Sequence, residues 1–138
     1  MRKLGSVAVI LVAFLLCACT LHYYSKTGNV QGIQDALAGG AKVDQPDDRG
    51  ETPLMVAAFS GQAQVIDYLC RNGADINARS PYGTTALIYA AYYGQLDSTK
   101  ALLKYNPDRT IIDKFNNSAL DYAVQYDFPA IAALLKEP

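Results

Sequence analysis

The sequence repeats itself at a regular interval of about 33 residues, and no other feature constrains the fold as strongly. The repetition is clearest in the stretch 50–79, which matches the stretches before and after it in one unbroken register. Matching positions include Thr52 and Thr85, then Leu54, Leu87 and Leu120, and also Gly61 and Gly94. A constant period of this length predicts stacked supersecondary units, each of which buries its apolar face against its neighbours.

Within one period the residue types predict a pair of short helices. Thr52 is a natural N-cap, and Pro53 at the first helical position loses no hydrogen-bond donor that the helix needs. Gly61 permits the left-handed turn between the inner and outer helices. The outer helix then places Val65, Ile66, Leu69 and Cys70 at helical spacing towards the stack. The predicted fold class is therefore all-α.

The residues that carry this pattern resemble the ankyrin repeat. The sequence TPLxxAAxxG begins at Thr52, and NGADIN begins at Asn72. The resemblance covers about residues 20–138 and implies an ankyrin-repeat solenoid of about four helix-turn-helix repeats. Their approximate bounds are 20–46, 47–79, 80–112 and 113–138. Met55 stands where the family usually has histidine, and the glycine positions of later repeats hold Asn106, Asn116 and Asp127.

The N-terminal segment predicts a targeting signal. Arg2 and Lys3 precede an apolar run over 7–18 that is too short for a comfortable membrane span. The run ends in Leu-Cys-Ala-Cys, which resembles a bacterial lipobox with Cys19 as the lipidated first residue. We therefore predict a lipoprotein signal peptide at 1–18 and an ankyrin-repeat domain at 19–138. An ordinary signal peptide or an uncleaved anchor is the alternative.

The position of Cys19 implies a membrane location. By resemblance to enterobacterial lipoproteins, Thr20 after the lipidated cysteine favours the outer membrane, with the domain facing the periplasm. Leu21 lies in the register of Leu54 and Leu87, so the first inner helix is expected to begin almost at the anchor. The domain should then lie close to the bilayer, unless residues 20–25 are unstructured.

Composition and motifs argue against several classes of function. The formal net charge is −1 and no run of lysine or arginine occurs, which disfavours nucleic acid as a partner. The single histidine, His22, has no second ligand at metal-binding spacing, so a bystander role is expected. No phosphate-binding loop or hydrolase motif is present. We predict a protein that is not an enzyme, needs no cofactor or metal, and is monomeric when free.

The resemblance places a binding surface on the concave face, at the turn tips and the exposed ends of the inner helices. Side chains at these positions form the predicted partner-binding set, which comprises Arg49, Glu51, Phe59, Arg79, Tyr82, Tyr92, Tyr93, Phe115 and Tyr126. Aromatic residues and arginine are the usual anchors of protein interfaces. The alternative is that the rings only brace neighbouring repeats. Val56, Tyr89 and Tyr122 share a position expected to be more buried.

These predictions combine into one functional hypothesis and one alternative. Small ankyrin-like lipoproteins of this design resemble immunity proteins for phospholipase effectors of type VI secretion. The resemblance implies an envelope lipoprotein that inhibits a membrane-attacking toxin by covering it with the aromatic face. The alternative is a periplasmic scaffold or chaperone-like adaptor for an envelope enzyme or a redox-defence protein.

Overall fold

The computed structural model describes residues 19–138, and within that range it contains eight helices and no strands. The predicted signal peptide, 1–18, lies outside the described residues. Residues 19–27 are helical and are called α1 here. The remaining helices are α2 (Val30–Ala38), α3 (Pro53–Phe59), α4 (Ala63–Arg71), α5 (Ala86–Tyr92), α6 (Leu96–Leu103), α7 (Ala119–Gln125) and α8 (Pro129–Lys136). The predicted all-α solenoid is confirmed.

The helices form two layers. The inner helix α5 packs against α3 on one side and α7 on the other, while α4, α6 and α8 follow one another in the outer layer. The core lies between the layers, where Leu54, Ile66, Leu87 and Leu102 are at most 2% exposed. Ala90 is fully buried where neighbouring inner helices meet, so its small side chain permits their close approach. No helix in residues 19–138 is long and apolar enough to span a bilayer.

Three inner helices begin with the same cap, once in every period. The hydroxyl oxygens of Thr52, Thr85 and Ser118 accept hydrogen bonds from the backbone N–H groups of Met55, Ile88 and Asp121, at 3.3, 3.3 and 3.2 Å respectively. In the last repeat the carboxylate of Asp121 also accepts from the backbone N–H of Ser118 at 2.8 Å. Each cap satisfies a donor that the first helical turn leaves free, so the caps fix where the inner helices start.

The predicted left-handed positions without glycine are also present. Asn106, Asn116 and Asp127 have φ values of 50°, 64° and 57°. Short polar side chains tolerate this region better than other non-glycine residues do. Gly94 has a φ of 67°, and an added Cβ there would approach the Phe128 ring to 2.6 Å. The turn after α5 therefore needs glycine both for its backbone and for the packing of the last repeat.

The first repeat is docked onto the second through His22. Leu21 is fully buried, as its register predicted, and His22 is buried beside it. The His22 imidazole donates through Nε2–H to the carbonyl oxygen of Glu51 at 2.9 Å. The expected bystander role of His22 is therefore wrong, because the side chain joins two repeats. Its position, one period before Met55, is the one where the family usually has histidine.

A second pair of side chains links successive repeats at the same spacing. The Gln62 amide donates to the carbonyl oxygen of Lys26 at 3.0 Å. The Gln95 amide, one period later, donates to that of Phe59 at 2.9 Å. Each bond satisfies a carbonyl near the end of the preceding inner helix. The stack is therefore held by recurring polar links as well as by its apolar core.

One buried hydroxyl is left without a partner, and it provides a stability test. Ser98 is fully buried on α6, and its Oγ makes no hydrogen bond within the described residues. The positions one period before and after it are Val65 and Ile131, both buried and apolar. We expect Ser98→Ala to raise the free energy of unfolding by about 1 kcal/mol, because an unpaired buried polar group is removed. Urea unfolding measures the change.

Ser25 is the matched control for that substitution. It is also fully buried, but its hydroxyl donates to the carbonyl oxygen of Leu21 at 2.8 Å. Ser25→Ala should lower the free energy of unfolding, because a satisfied hydrogen bond is lost. A loss of stability in Ser98→Ala equal to that in Ser25→Ala would contradict the interpretation of Ser98 as unsatisfied.

Candidate functional site

The turn tips that carry several predicted contact residues are held rigidly by their own side chains. Asp47, Ser80 and Asp113 occur one period apart, and each begins a tip. The Asp113 Oδ1 accepts hydrogen bonds from the backbone N–H groups of Phe115 at 2.9 Å and Asn117 at 3.1 Å. Asp47 and Ser80 bond the equivalent N–H groups of their own tips. The side chains on the tips are therefore presented from a fixed backbone.

Five of the six predicted aromatic contact residues are exposed. The exposed fraction is 59% for Tyr82, 38% for Tyr92, 52% for Tyr93, 68% for Phe115 and 43% for Tyr126. Phe59 is only partly exposed. Large rings at such exposure have no packing requirement that explains them all. They mark a surface on which apolar area remains available to a ligand.

Four of these six rings, Phe59, Tyr92, Tyr93 and Tyr126, form a row of ring contacts across three repeats. Tyr93 lies between Phe59 and Tyr92, with ring centroids 5.8 and 5.0 Å away. Tyr92 in turn meets Tyr122 and Tyr126 edge-on, each at 5.1 Å. Edge-to-face pairs at these separations stabilise their arrangement and limit side-chain motion. The rings can therefore brace neighbouring repeats and also bind a partner, because the contacts between them leave part of each ring exposed.

The open face of the row borders a groove of about 400 Å³. It is lined by Tyr82, Thr84, Ile88, Tyr89, Tyr92, Tyr93, Asp113, Phe115 and Tyr122, and this set is called the aromatic groove. The turn tips contribute Tyr82, Thr84, Asp113 and Phe115, and the remaining lining residues come from α5, the residue after it and α7. A volume of this size falls in the range of ligand sites and of pockets that receive interface side chains.

Two tyrosines of the groove are anchored to carboxylates. The Tyr89 hydroxyl donates to Oε1 of Glu51 at 2.7 Å, and the Tyr122 hydroxyl donates to Oδ2 of Asp113 at 2.6 Å. Burial, followed by the hydrogen bond to Glu51, raises the pKa of Tyr89 well above its usual range. Burial and the Asp113 carboxylate likewise raise the pKa of Tyr122. Both hydroxyls therefore stay protonated at any physiological pH.

These raised pKa values predict a loss of stability in alkali. The folded state favours the protonated phenols, so their contribution is fully present below about pH 10 and is lost as the pH rises through the folded-state pKa values. Urea unfolding between about pH 8 and pH 11 should show a falling midpoint, and tyrosinate absorbance should reveal a late-titrating subset of the ten tyrosines. The Tyr89→Phe, Tyr122→Phe double variant should show a smaller fall in midpoint and fewer late-titrating tyrosines, although Tyr126, whose pKa is raised by its hydrogen bond with Tyr92, remains. Titration of all the tyrosines in one step by the folded protein would contradict this assignment.

The charged members of the predicted set behave differently from the rings. Glu51 is only 8% exposed, since Tyr89 contacts one carboxylate oxygen and Arg49 lies 2.9 Å from the other. The expectation that Glu51 is an exposed contact residue is therefore wrong, because the next repeat covers it. Arg49 is exposed, and the exposed Arg79 donates to the carbonyl oxygen of Ile112 at 2.8 Å. Both arginines therefore bond within the domain.

Five groove residues lay outside the predicted set, namely Thr84, Ile88, Tyr89, Asp113 and Tyr122. Tyr89 and Tyr122 were assigned to a buried ladder; Tyr122 is buried, whereas Tyr89 is half-buried and borders the groove. Asp113 was not singled out, although its register with Asp47 and Ser80 marks it as a turn-forming acceptor. That register is enough to locate the Asp113 backbone and the oxygen that caps the turn. It does not reveal that the Tyr122 hydroxyl donates to the other carboxylate oxygen.

The potential metal ligands and the cysteines of residues 19–138 form no further candidate site. No cluster of potential metal ligands occurs within residues 19–138. Cys70 is partly buried, and burial, with the nearby Asp67 and Asp44 charges, raises the pKa of its thiol to about 11. Cys70 is therefore an unreactive thiol, as its core position suggested. Cys19 is exposed at the start of the described residues, and its lipidation stays a prediction.

Comparison with known proteins identifies the fold family. A family model described as ankyrin repeats (many copies) matches residues 37–90 and 75–123, which together cover more than half of the chain. The chain belongs to the ankyrin-repeat family. It is also similar to a Dictyostelium discoideum protein named "Ankyrin repeat, PH and SEC7 domain containing protein secG", with 39% identity over 51 residues. That match covers 36% of this chain and 5% of the relative, so only a small part of the relative is comparable.

Membership of the family gives the general role. Ankyrin repeats are modules of protein–protein interaction, and the exposed rings of this ankyrin-repeat domain lie where such an interaction needs anchors.

Proposed function

We propose that this ankyrin-repeat protein is a non-catalytic envelope lipoprotein that binds another protein through the aromatic groove. The observation that carries the proposal is the row of exposed rings along α5, α7 and their turn tips. Tyrosine provides a large, rigid contact area at a small entropic cost. A surface of this length could bury about 800 Å² per partner, which is a standard protein interface.

We further propose that the partner is a secreted phospholipase that attacks the membrane, and that the protein confers immunity to it. Two features support this assignment. Cys19, the predicted lipidation site, is exposed and lies only two residues before the fully buried Leu21. A lipid on Cys19 would therefore hold the repeats against the bilayer, with no linker between them. An inhibitor held there could cover the mouth of a lipid-degrading active site before it reaches its substrate.

Co-expression tests this proposal. The full chain is produced in bacteria together with a candidate phospholipase directed to the periplasm, ideally one encoded beside it. Protection from lysis and co-purification of the two proteins are the expected results. Cys19→Ser should move the protein from the membrane fraction to the soluble fraction and reduce protection. Binding to an endogenous envelope protein, without any protection, would instead favour a scaffold or adaptor.

A further inference from the structure

The aromatic groove has an electrostatic character in addition to its apolar one. None of its nine lining residues is basic, and one of them, Asp113, carries a negative charge. The faces of the surrounding tyrosine and phenylalanine rings are also negative, because of the ring quadrupole. A cation is therefore favoured inside the groove. An anionic or purely apolar group would leave the charge of Asp113 without a counterpart.

The Asp113 carboxylate retains capacity for one more donor. Its Oδ1 accepts from the N–H groups of Phe115 and Asn117, and its Oδ2 accepts from the Tyr122 hydroxyl. A carboxylate offers about four lone-pair positions, so one position on Oδ2 remains after these three bonds. Asp113 is 7% exposed and takes part in none of the ion pairs found among residues 19–138.

The basic side chains nearest to the groove do not fill it. Arg79 is held by its hydrogen bond to the carbonyl oxygen of Ile112, and Arg49 pairs with Glu51. Lys114 follows Asp113 in the chain, but its side chain is exposed and does not line the groove. Asp113 therefore forms no direct ion pair among residues 19–138, because the nearby Arg79 guanidinium bonds to Ile112 instead, and the remaining acceptor position on Oδ2 is left to a ligand.

We infer that the groove receives an arginine side chain of the protein partner, an inference that rests on the proposed function. A guanidinium group is planar, so it can stack on tyrosine faces while one of its N–H groups reaches Oδ2 of Asp113. A lysine ammonium satisfies the charge but lacks the flat face. A quaternary ammonium, such as a choline headgroup, has no N–H donor for the carboxylate. The chemistry of the lining thus selects arginine.

Two probes of nearly the same shape, which differ in charge and in one terminal donor group, test the inference. N-acetyl-arginine methylamide and its neutral isostere, N-acetyl-citrulline methylamide, are titrated into the full chain in detergent micelles, and the tyrosine ring signals are followed by NMR. The arginine probe should bind at least about tenfold more tightly than the citrulline probe. The responding rings should be those of the groove, and the ring of Tyr23, which is exposed elsewhere, should be silent.

Variants separate the ring contribution from apolar contact. Phe115 lies at a turn tip and is 68% exposed, so Phe115→Leu removes a ring face without disturbing the core. It should weaken binding of the arginine probe about threefold and leave the citrulline probe unchanged. Asp113→Asn keeps an acceptor for the backbone N–H groups, and it should reduce the preference for arginine over citrulline to the part that the ring faces supply. Thermal unfolding of each variant checks that the fold is retained.

Three outcomes would overturn the inference. The first is equal affinity for the two probes, and the second is a failure of both to shift any groove ring. The third is tighter binding of tetramethylammonium than of the arginine probe, which would assign the groove to a lipid headgroup. These outcomes are independent of the proposed function. A phospholipase partner that still needs the groove rings, although arginine and citrulline bind equally, would preserve the function and reject the arginine.

Discussion

Replacing Tyr92 and Tyr93 together by alanine is expected to weaken binding of the protein partner by at least about a hundredfold, and so to abolish protection from it. These two rings occupy the middle of the row, between Phe59 on one side and Tyr126 on the other. Central aromatic anchors carry most of the energy of an interface, while residues at the rim contribute little. Calorimetry with the purified pair and survival of co-expressing cells measure the two effects.

The double variant must stay folded for this result to be meaningful. Tyr92 and Tyr93 are 38% and 52% exposed and follow the buried Ala91, so their loss removes ring contacts but opens no cavity in the core. Tyr23→Ala is the control, because it removes an exposed ring far along the chain from the groove. Full protection by the double variant, at the protein level of the unaltered chain, would exclude the groove as the binding site.

The periodicity predicted the backbone more fully than it predicted the side-chain partners. One register located the buried Leu21 at the start of the stack and the left-handed turn at Asn106. These features depend on the residue and its place within a single repeat. For that reason a comparison of equivalent positions is sufficient to find them.

The side chains whose exposure or role was predicted wrongly are those that bond across repeats. Glu51 occupies a turn position that is exposed in an isolated repeat, and the hydroxyl that covers it belongs to Tyr89, which is 38 residues later. His22 was dismissed because it lacked a metal-ligand neighbour, although its bond goes to a backbone carbonyl 29 residues away. Such pairs form only after the repeats stack, so the periodicity of one repeat does not reveal them. The register nevertheless makes His22 equivalent to Met55, at the position where the family usually has histidine.

Leu87→Ala is expected to have the largest effect on stability, a loss of about 3 kcal/mol in the free energy of unfolding. Leu87 is 2% exposed on α5, which packs between α3 and α7. A repeat protein is stabilised mainly by contacts between neighbouring units, so a cavity in a central unit weakens both of its interfaces. Urea unfolding followed by circular dichroism gives the loss, and hydrogen exchange locates it.

Leu120 provides the matched comparison, because it holds the same position one period later and is only partly buried on α7. Leu120→Ala should cost about 1 kcal/mol, since fewer apolar contacts are lost and the site is partly hydrated already. Equal losses in the two variants would mean that the last repeat, rather than the centre, limits stability. The stability lost in Leu87→Ala should also affect binding, because the aromatic groove is formed where α5 meets α7. Leu87→Ala should therefore weaken partner binding without altering any residue that lines the groove.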